Sequence, residues 1–170
     1  MYCKTAQLSA IVTDGTAVLG YGNIGPTAGL PVMEGKSLLF KLLGDVEVVP
    51  LCIHQRKTTA KSVKAIMNIL GHYEAINLED IKAPECFEIE EGLQKLKVMP
   101  IFHDDQHGTA IVTLAGLINA AKVVDKNVRD CKMVINGAGA AGITIAKLLL
   151  NYGVKDIIIC DSTGAIYRGR

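Results

Sequence analysis

The chain has 170 residues, of which 49% are hydrophobic and 21% charged, and its formal net charge is +1. This balance indicates a globular protein with a sizeable buried core, and it excludes the basic character of a general nucleic-acid binder. No apolar run reaches the length of a membrane span and the first residues do not form a signal peptide, so we expect no membrane partner. The cysteines form no Cys-x-x-Cys pair and lie mostly in or beside apolar segments, which favours reduced thiols in a cytoplasmic protein. They are Cys3, Cys52, Cys86, Cys131 and Cys160.

Strands alternate with helices along the sequence, which predicts an α/β protein with parallel sheets. The predicted strands are 8–13, 46–53, 75–78, 98–102, 132–136 and 156–160, and the predicted helices are 31–44, 58–70, 84–97, 109–124 and 143–150. A glycine-rich loop precedes the first helix, which we expect to begin at Pro31 because proline suits a first helical turn. A polar connector at 125–130 predicts the domain boundary.

Two acidic doublets follow predicted buried strands, Glu79-Asp80 after 75–78 and Asp104-Asp105 after 98–102. Consecutive strands joined by one helix form a right-handed crossover, in which they run parallel and are usually neighbours. Both doublets are therefore expected at the same edge of the sheet, where the carboxylates repel one another unless a cation separates them. An all-oxygen set of this kind suits Mg²⁺ or Mn²⁺.

Two other interpretations of these residues stay open. Helix caps could explain either doublet, although they explain both together less well. His103 and His107 could recruit Zn²⁺ instead, but no cysteine lies beside them, and a hydrogen-bonding role next to the metal ligands is favoured.

A second motif, Gly137-x-Gly139-x-x-Gly142, stands between a predicted strand and a predicted helix. This context is typical of a dinucleotide-binding turn, in which the glycines let the backbone and the helix N-terminus approach a pyrophosphate. Asp161 follows about 20 residues later, where an acid binds the adenosine ribose hydroxyls and repels a 2′-phosphate, so NAD is favoured over NADP. The alternative is a tight strand–helix turn without nucleotide.

Lys36 lies near the N-terminal end of the first predicted helix. It can be a surface residue whose stem packs along apolar neighbours, or a desolvated amine that accepts a proton. The sequence alone favours the surface interpretation.

Taken together, these segments resemble the malic enzymes, specifically the short bacterial type. The likeness covers almost the whole chain from about residue 8. The segments that carry it are TDGTAVLG (13–20), GNIGP (22–26), LPVMEGK (30–36), INLEDI (76–81), CFEIE (86–90), FHDDQHGTA (102–110) and NGAGAAG (136–142).

The resemblance implies oxidation of malate with NAD(P) and decarboxylation of the oxaloacetate to pyruvate, with Mg²⁺ or Mn²⁺. Carried over residue by residue, it makes Glu79, Asp80 and Asp105 the metal ligands. Lys36 becomes the general base that takes the malate hydroxyl proton, and Asp104 becomes its carboxylate partner.

The resemblance also implies a domain organisation. Residues 1–129 form part of a malic enzyme N-terminal substrate and metal domain, and residues 130–170 form the start of a Rossmann-type nucleotide-binding domain. We expect a homo-oligomer, a dimer. The glycine turn Gly137, Ala138, Gly139, Ala140, Ala141 and Gly142 binds the cofactor together with Asp161.

The sequence departs from the family pattern in several places. The family's tyrosine acid belongs to a Tyr-Ser/Thr-Pro-Gly-Val segment, which Tyr2 does not occupy, and the sequence is expected to be truncated at both ends. Ala17 stands where larger members carry a substrate-binding arginine, and His54 where an aspartate is usual. Two other functions therefore stay open. One is a non-catalytic truncated homologue that acts as a metal- or nucleotide-binding or oligomerising module, and the other is a different NAD-dependent hydroxy- or amino-acid dehydrogenase.

Overall fold

The computed structural model describes residues 8–54 and 59–169, so Tyr2, Cys3 and Thr58 lie outside the described residues. The chain divides into two units, Met1–His103 and Asp104–Arg170. The domain boundary expected at 129/130 stays a prediction.

Within its described residues, the first unit contains a four-stranded parallel sheet in the order β2-β1-β3-β4. Three helices connect the strands. The elements are β1 (Leu8–Thr13), α1 (Gly25–Gly44), β2 (Glu47–Cys52), α2 (Thr59–Leu70), β3 (Ile76–Leu78), α3 (Glu85–Gln94) and β4 (Ile101–His103). In the register, Leu78 at the end of β3 is paired with His103 at the end of β4. The chain therefore leaves these two neighbouring strands side by side, as the sequence predicted.

The core of this unit lies on both sides of the two central strands. Residues 10–12 of β1 are fully buried, and Ile76 and Leu78 of β3 are at most 1% exposed. Strands whose consecutive residues are all buried are typical of parallel sheets that are covered on both faces. The helices contribute buried side chains to this core, among them Met33 of α1 and Leu70 of α2.

The second unit begins with a π-helical turn, Asp104–Gly108, that leads into α4. Its core includes Ala121, Val128, Leu149 and Val154. The other elements are α4 (Thr109–Val123), β5 (Lys132–Asn136), α5 (Ala140–Tyr152), β6 (Asp156–Asp161) and β7 (Gly164–Ala165), with a 3₁₀ turn at Val128–Asp130. β5 and β6 are parallel, and the two-residue β7 pairs antiparallel with β6.

The predicted α/β class with parallel sheets is confirmed, but several element boundaries were wrong. α1 begins at Gly25, because Pro26 already provides the first-turn proline, and Pro31 lies inside the helix. β4 begins at Ile101, because Pro100 has no N–H to donate to the sheet. α5 begins at Ala140, within the glycine turn. None of the helices in the described part of the chain combines the length and apolarity that a bilayer crossing requires.

Candidate active site

Glu79 and Asp80 directly follow β3 and are 7% and 5% exposed. One carboxylate oxygen of each lies within 4.8 Å of the other. The amide Nδ2 of Asn77 donates a hydrogen bond of 2.9 Å to Glu79 Oε2. Two buried carboxylates this close repel each other unless positive charge or protons compensate them.

Lys36 provides positive charge at this position, because its ammonium forms an ion pair with Glu79 Oε2. The Lys36 side chain is 21% exposed, so the surface interpretation that the sequence alone favoured does not hold. The cause lies in α1, where Lys36 is three residues after the fully buried Met33 and therefore shares its face of the helix.

The second doublet, Asp104 and Asp105, lies in the π-helical turn at the start of the second unit. Asp104 follows His103 by one peptide bond, and His103 is the residue paired with Leu78. A Cβ added to Gly108 would collide with Asp104 Oδ1, so a glycine at this position permits the turn to close against that carboxylate. The assignment of Asp105 to the same metal site as Glu79 and Asp80 stays a prediction.

The helix-cap alternative is not observed for either doublet. The residue that caps α3 is Pro84 and the one that caps α4 is Gly108, and neither makes a side-chain capping hydrogen bond. The zinc alternative also lacks support. Among the described residues, neither His103 nor His107 belongs to a group of three or more side chains placed to share a metal ion.

The glycine turn forms a backbone cradle at the start of α5. A Cβ added to Gly142 would collide with the Gly137 carbonyl oxygen, so the helix can begin this close to β5 only with glycine at 142. Gly137 has a φ of 126°, which favours glycine there as well. Gly139 precedes the helix without a side-chain capping hydrogen bond. The first backbone N–H groups of α5 are thus suited to bind an anion such as a pyrophosphate.

Asp161 ends β6 close to this turn, because the Gly137 N–H donates a hydrogen bond of 2.8 Å to the Cys160 carbonyl oxygen. The Asp161 carboxylate accepts two hydrogen bonds of 2.8 Å through Oδ1, from the N–H and from the hydroxyl of Thr163. The sequence did not single out Thr163. The signal for it is an Asp-x-Thr pattern at the end of a strand, which also occurs at Asp14-Gly15-Thr16.

Asp14 is a further buried acid of the first unit, and the sequence analysis did not single it out as a site residue. It follows β1 directly and is 3% exposed. Its Oδ1 accepts hydrogen bonds from the N–H and the hydroxyl of Thr16, while Oδ2 has no hydrogen-bond partner among the residues that the structure describes. Burial raises the pKa of the Asp14 carboxyl, and the hydrogen bonds from Thr16 oppose that shift. An acid placed directly after a buried strand was the signal that could have identified it.

The fold and these residues define an α/β protein with a lysine–carboxylate site at the edge of a parallel sheet and a separate glycine turn of the dinucleotide-binding kind. Comparison with known proteins identifies the family. The model of the malic enzyme N-terminal domain matches residues 3–61, and that of the malic enzyme NAD binding domain matches residues 106–164. The chain belongs to the malic enzyme family.

Individual relatives agree with this assignment. The chain is 55% identical over 169 residues to a bifunctional malic/malolactic enzyme of Bacillus subtilis, which covers 99% of this chain and 41% of the relative. It is 54% identical over 159 residues to an NAD-dependent malic enzyme of Geobacillus stearothermophilus, covering 94% and 33%. An NADP-dependent malic enzyme of Escherichia coli is 46% identical over 171 residues, covering 99% and 22%. The chain therefore spans less than half the length of these curated relatives.

Solved structures show the same relationship. An NAD-dependent malic enzyme from Thermotoga maritima matches with a TM-score of 0.93 and 43% identity, over 99% of this chain and 44% of that one. The malic enzyme of Entamoeba histolytica matches with a TM-score of 0.94 and 41% identity, over 99% and 36%. The resemblance stated from the sequence and the expected fold class are confirmed.

Proposed function

We propose that this chain carries the substrate, metal and part of the nucleotide site of an enzyme that oxidises malate with a nicotinamide dinucleotide and decarboxylates the product to pyruvate and CO₂. The ion pair between Lys36 and Glu79, at the carboxyl end of a buried parallel strand, is the observation that carries the proposal. Ligands of open α/β sheets bind at that edge. The names of the relatives support malate as the substrate.

We assign Glu79, Asp80 and Asp105 as the ligands of a divalent ion. The buried carboxylates of Glu79 and Asp80 fit such an ion, since their oxygens are close together and hard oxygen donors suit Mg²⁺ and Mn²⁺. Asp105 is assigned because its doublet follows β4, the strand next to β3. When bound, the ion would supply Lewis-acid polarisation of the hydroxyl and ketone oxygens of the substrate.

Lys36 acts as the general base. Its Nζ takes the proton of the malate C2 hydroxyl while the C2 hydrogen leaves as hydride to the nicotinamide, so that C2 becomes a ketone. Asp104 is the carboxylate partner that stabilises the ammonium formed on Lys36. The ion pair with Glu79 holds the lysine side chain at the carboxyl end of β3, and the amine must be in its neutral form when it accepts the hydroxyl proton.

The backbone of Gly137–Gly142 binds the dinucleotide pyrophosphate, and Asp161 hydrogen-bonds the adenosine ribose hydroxyls. The relatives include NAD-dependent and NADP-dependent enzymes, so the family alone does not select the cofactor. We propose NAD, because the Asp161 carboxylate repels a 2′-phosphate.

We further propose a homodimer in the cytoplasm. Apolar side chains of α1 are exposed over a contiguous part of the helix, which is typical of a protein–protein contact. They are Leu38, Leu39, Leu42 and Leu43. The cytoplasmic location is proposed because the cysteines form no Cys-x-x-Cys pair and lie mostly in or beside apolar segments, which is typical of reduced thiols.

The test is the formation of NADH, followed by absorbance, with malate, Mn²⁺ and NAD. We expect activity in the wild type and a loss of about 100-fold or more in Lys36→Ala, the effect of removing a general base. Lys95→Ala, at an exposed lysine whose ion pair with Glu91 is on the surface, is the matched control and keeps the wild-type rate. A wild-type rate in Lys36→Ala would disprove the base assignment. A folded wild type without NADH formation would disprove the activity for this chain.

A further inference from the structure

Asp80 adopts a backbone conformation that L-residues rarely adopt. Its φ is 53°, in the left-handed region, and the residue is 5% exposed. Such a conformation is unfavourable outside glycine, somewhat less so for aspartate, and it persists when the surrounding structure enforces it. The conformation determines where the Asp80 carboxylate points after β3.

Two hydrogen bonds from one short segment hold the backbone that directly follows Asp80. The Ala17 N–H donates to the Asp80 carbonyl oxygen at 2.9 Å. The Thr16 hydroxyl oxygen accepts from the Lys82 N–H at 3.0 Å. The backbone from the Asp80 carbonyl to the Lys82 N–H is thus held at both ends, by two neighbouring residues of the segment after β1.

The segment that makes these contacts is itself fixed. The Thr16 hydroxyl donates to Asp14 Oδ1 at 2.6 Å, and the Gly15 N–H donates to Thr13 Oγ1 at 2.9 Å. The Gly15 carbonyl oxygen accepts hydrogen bonds from the backbone N–H groups of residues 24 and 25, at 3.1 and 3.0 Å, where α1 begins. Asp14 and Thr13 are buried, so the turn has little freedom to move.

We propose that the Asp14–Gly15–Thr16 turn is the positioning element of the metal site, with the Thr16 hydroxyl as its central group. This hydroxyl uses its proton to bind the fixed Asp14 carboxylate and its lone pair to hold the Lys82 N–H. It thereby keeps Asp80 in the left-handed conformation that presents its carboxylate to the divalent ion. The inference rests on the proposed function, since it assumes that Asp80 is a ligand.

The experiment measures Mn²⁺ affinity by calorimetry and by the electron paramagnetic resonance signal of bound Mn²⁺, in the full chain. Thr16→Val removes the hydroxyl while it keeps the shape of the side chain, and we expect its Mn²⁺ dissociation constant to rise about tenfold or more, as for other residues that orient metal ligands. Thr16→Ser keeps the hydroxyl and is expected to bind Mn²⁺ within about twofold of the wild type. Thr113→Val loses a hydroxyl that donates to the Thr109 carbonyl oxygen in α4, so it is the matched control with unchanged affinity.

The results separate this inference from the proposed function. If the wild type binds no Mn²⁺, the proposed metal site itself is wrong. If the wild type binds Mn²⁺ and folded Thr16→Val binds it equally well, the positioning role is wrong. Should Thr16→Val fail to fold, Thr16→Ser still decides, because a tenfold loss in that variant would show that the methyl group rather than the hydroxyl matters. NAD affinity stays unchanged in each folded variant if the effect is confined to the metal site.

Discussion

Lys36 and Glu79 form a charged pair that is largely removed from water, with Asp80 next to it. A pair in this position gives little net stability, since the desolvation of both charges offsets their attraction. Removal of one partner is costly, because it leaves the other charge buried without compensation. The pair is thus better explained by a role in the chemistry of the site than by a contribution to stability.

We predict that Asp105→Asn abolishes Mn²⁺ binding and leaves NAD affinity nearly unchanged. The substitution removes one of three anionic ligands while it preserves the size of the side chain. Titration calorimetry with Mn²⁺ and with NAD is the measurement, and Asp125→Asn, at an exposed acid in the connector, is the control. Unchanged Mn²⁺ affinity in Asp105→Asn would contradict the ligand assignment.

We predict that the free energy of unfolding of the wild type falls relative to that of Asp14→Asn as pH rises. Because burial raises the pKa of this carboxyl in the folded state, the folded protein binds more protons than the unfolded chain. Its contribution to stability is complete below the ordinary value of 3.8 and is lost as pH rises through the higher pKa of the folded state. Urea unfolding of both proteins from about pH 4 to pH 8 measures this. A difference between the two that does not vary with pH would contradict it.

The glycine turn shows how one element depends on close backbone contact. Glycine at 142 lets the start of α5 approach the Gly137 carbonyl oxygen, and the same approach leaves the helix N–H groups accessible to an anion. The motif was visible in the sequence because the glycine spacing is local. The predicted start of α5, at residue 143, is three residues after the observed start at Ala140, because alanines inside a glycine turn give no periodic apolar signal.

We predict that Gly142→Ala destabilises the protein by about 1–3 kcal/mol and weakens NAD binding at least tenfold, because the added Cβ must push the turn away from α5. Gly116→Ala is the matched control. It lies inside α4 with open space at the Cβ position, so it is expected to stabilise the helix by about 0.5–1 kcal/mol and leave NAD binding unchanged. Urea unfolding and titration calorimetry with NAD test both variants. Equal NAD affinity in the two would refute the assigned pyrophosphate site.

At the scale of the whole molecule, exposed leucines on α1 are not explained by the packing of the first unit. Met33 of α1 is fully buried, whereas the leucines at 38, 39, 42 and 43 of the same helix are exposed to solvent. Exposed apolar patches of this kind mark contacts with other proteins. They are the basis for the proposed dimer.

We predict that the wild type is a dimer at micromolar concentration and that the double substitution Leu42→Glu and Leu43→Glu shifts it to monomer, because it places charges in an apolar contact. Leu19→Glu, at an exposed leucine of the loop before α1, is expected to leave the dimer intact. Sedimentation equilibrium measures the mass. A monomeric wild type, or a dimer that survives the double substitution, would show that α1 is not the contact.

The sequence by itself determined the alternation of strands and helices, the place of each acidic doublet and the glycine turn. These depend on local periodicity and on short spacings, which the sequence contains directly. Only the tertiary structure decided that Lys36 contacts Glu79, that Asp80 is left-handed, and that Thr16 bonds the backbone at Lys82. The two contacts join segments far apart in the chain, and Thr16 reaches Lys82 because β1 lies beside β3 in the sheet. That strand order is set by the packing of the whole unit, so no local pattern could predict it.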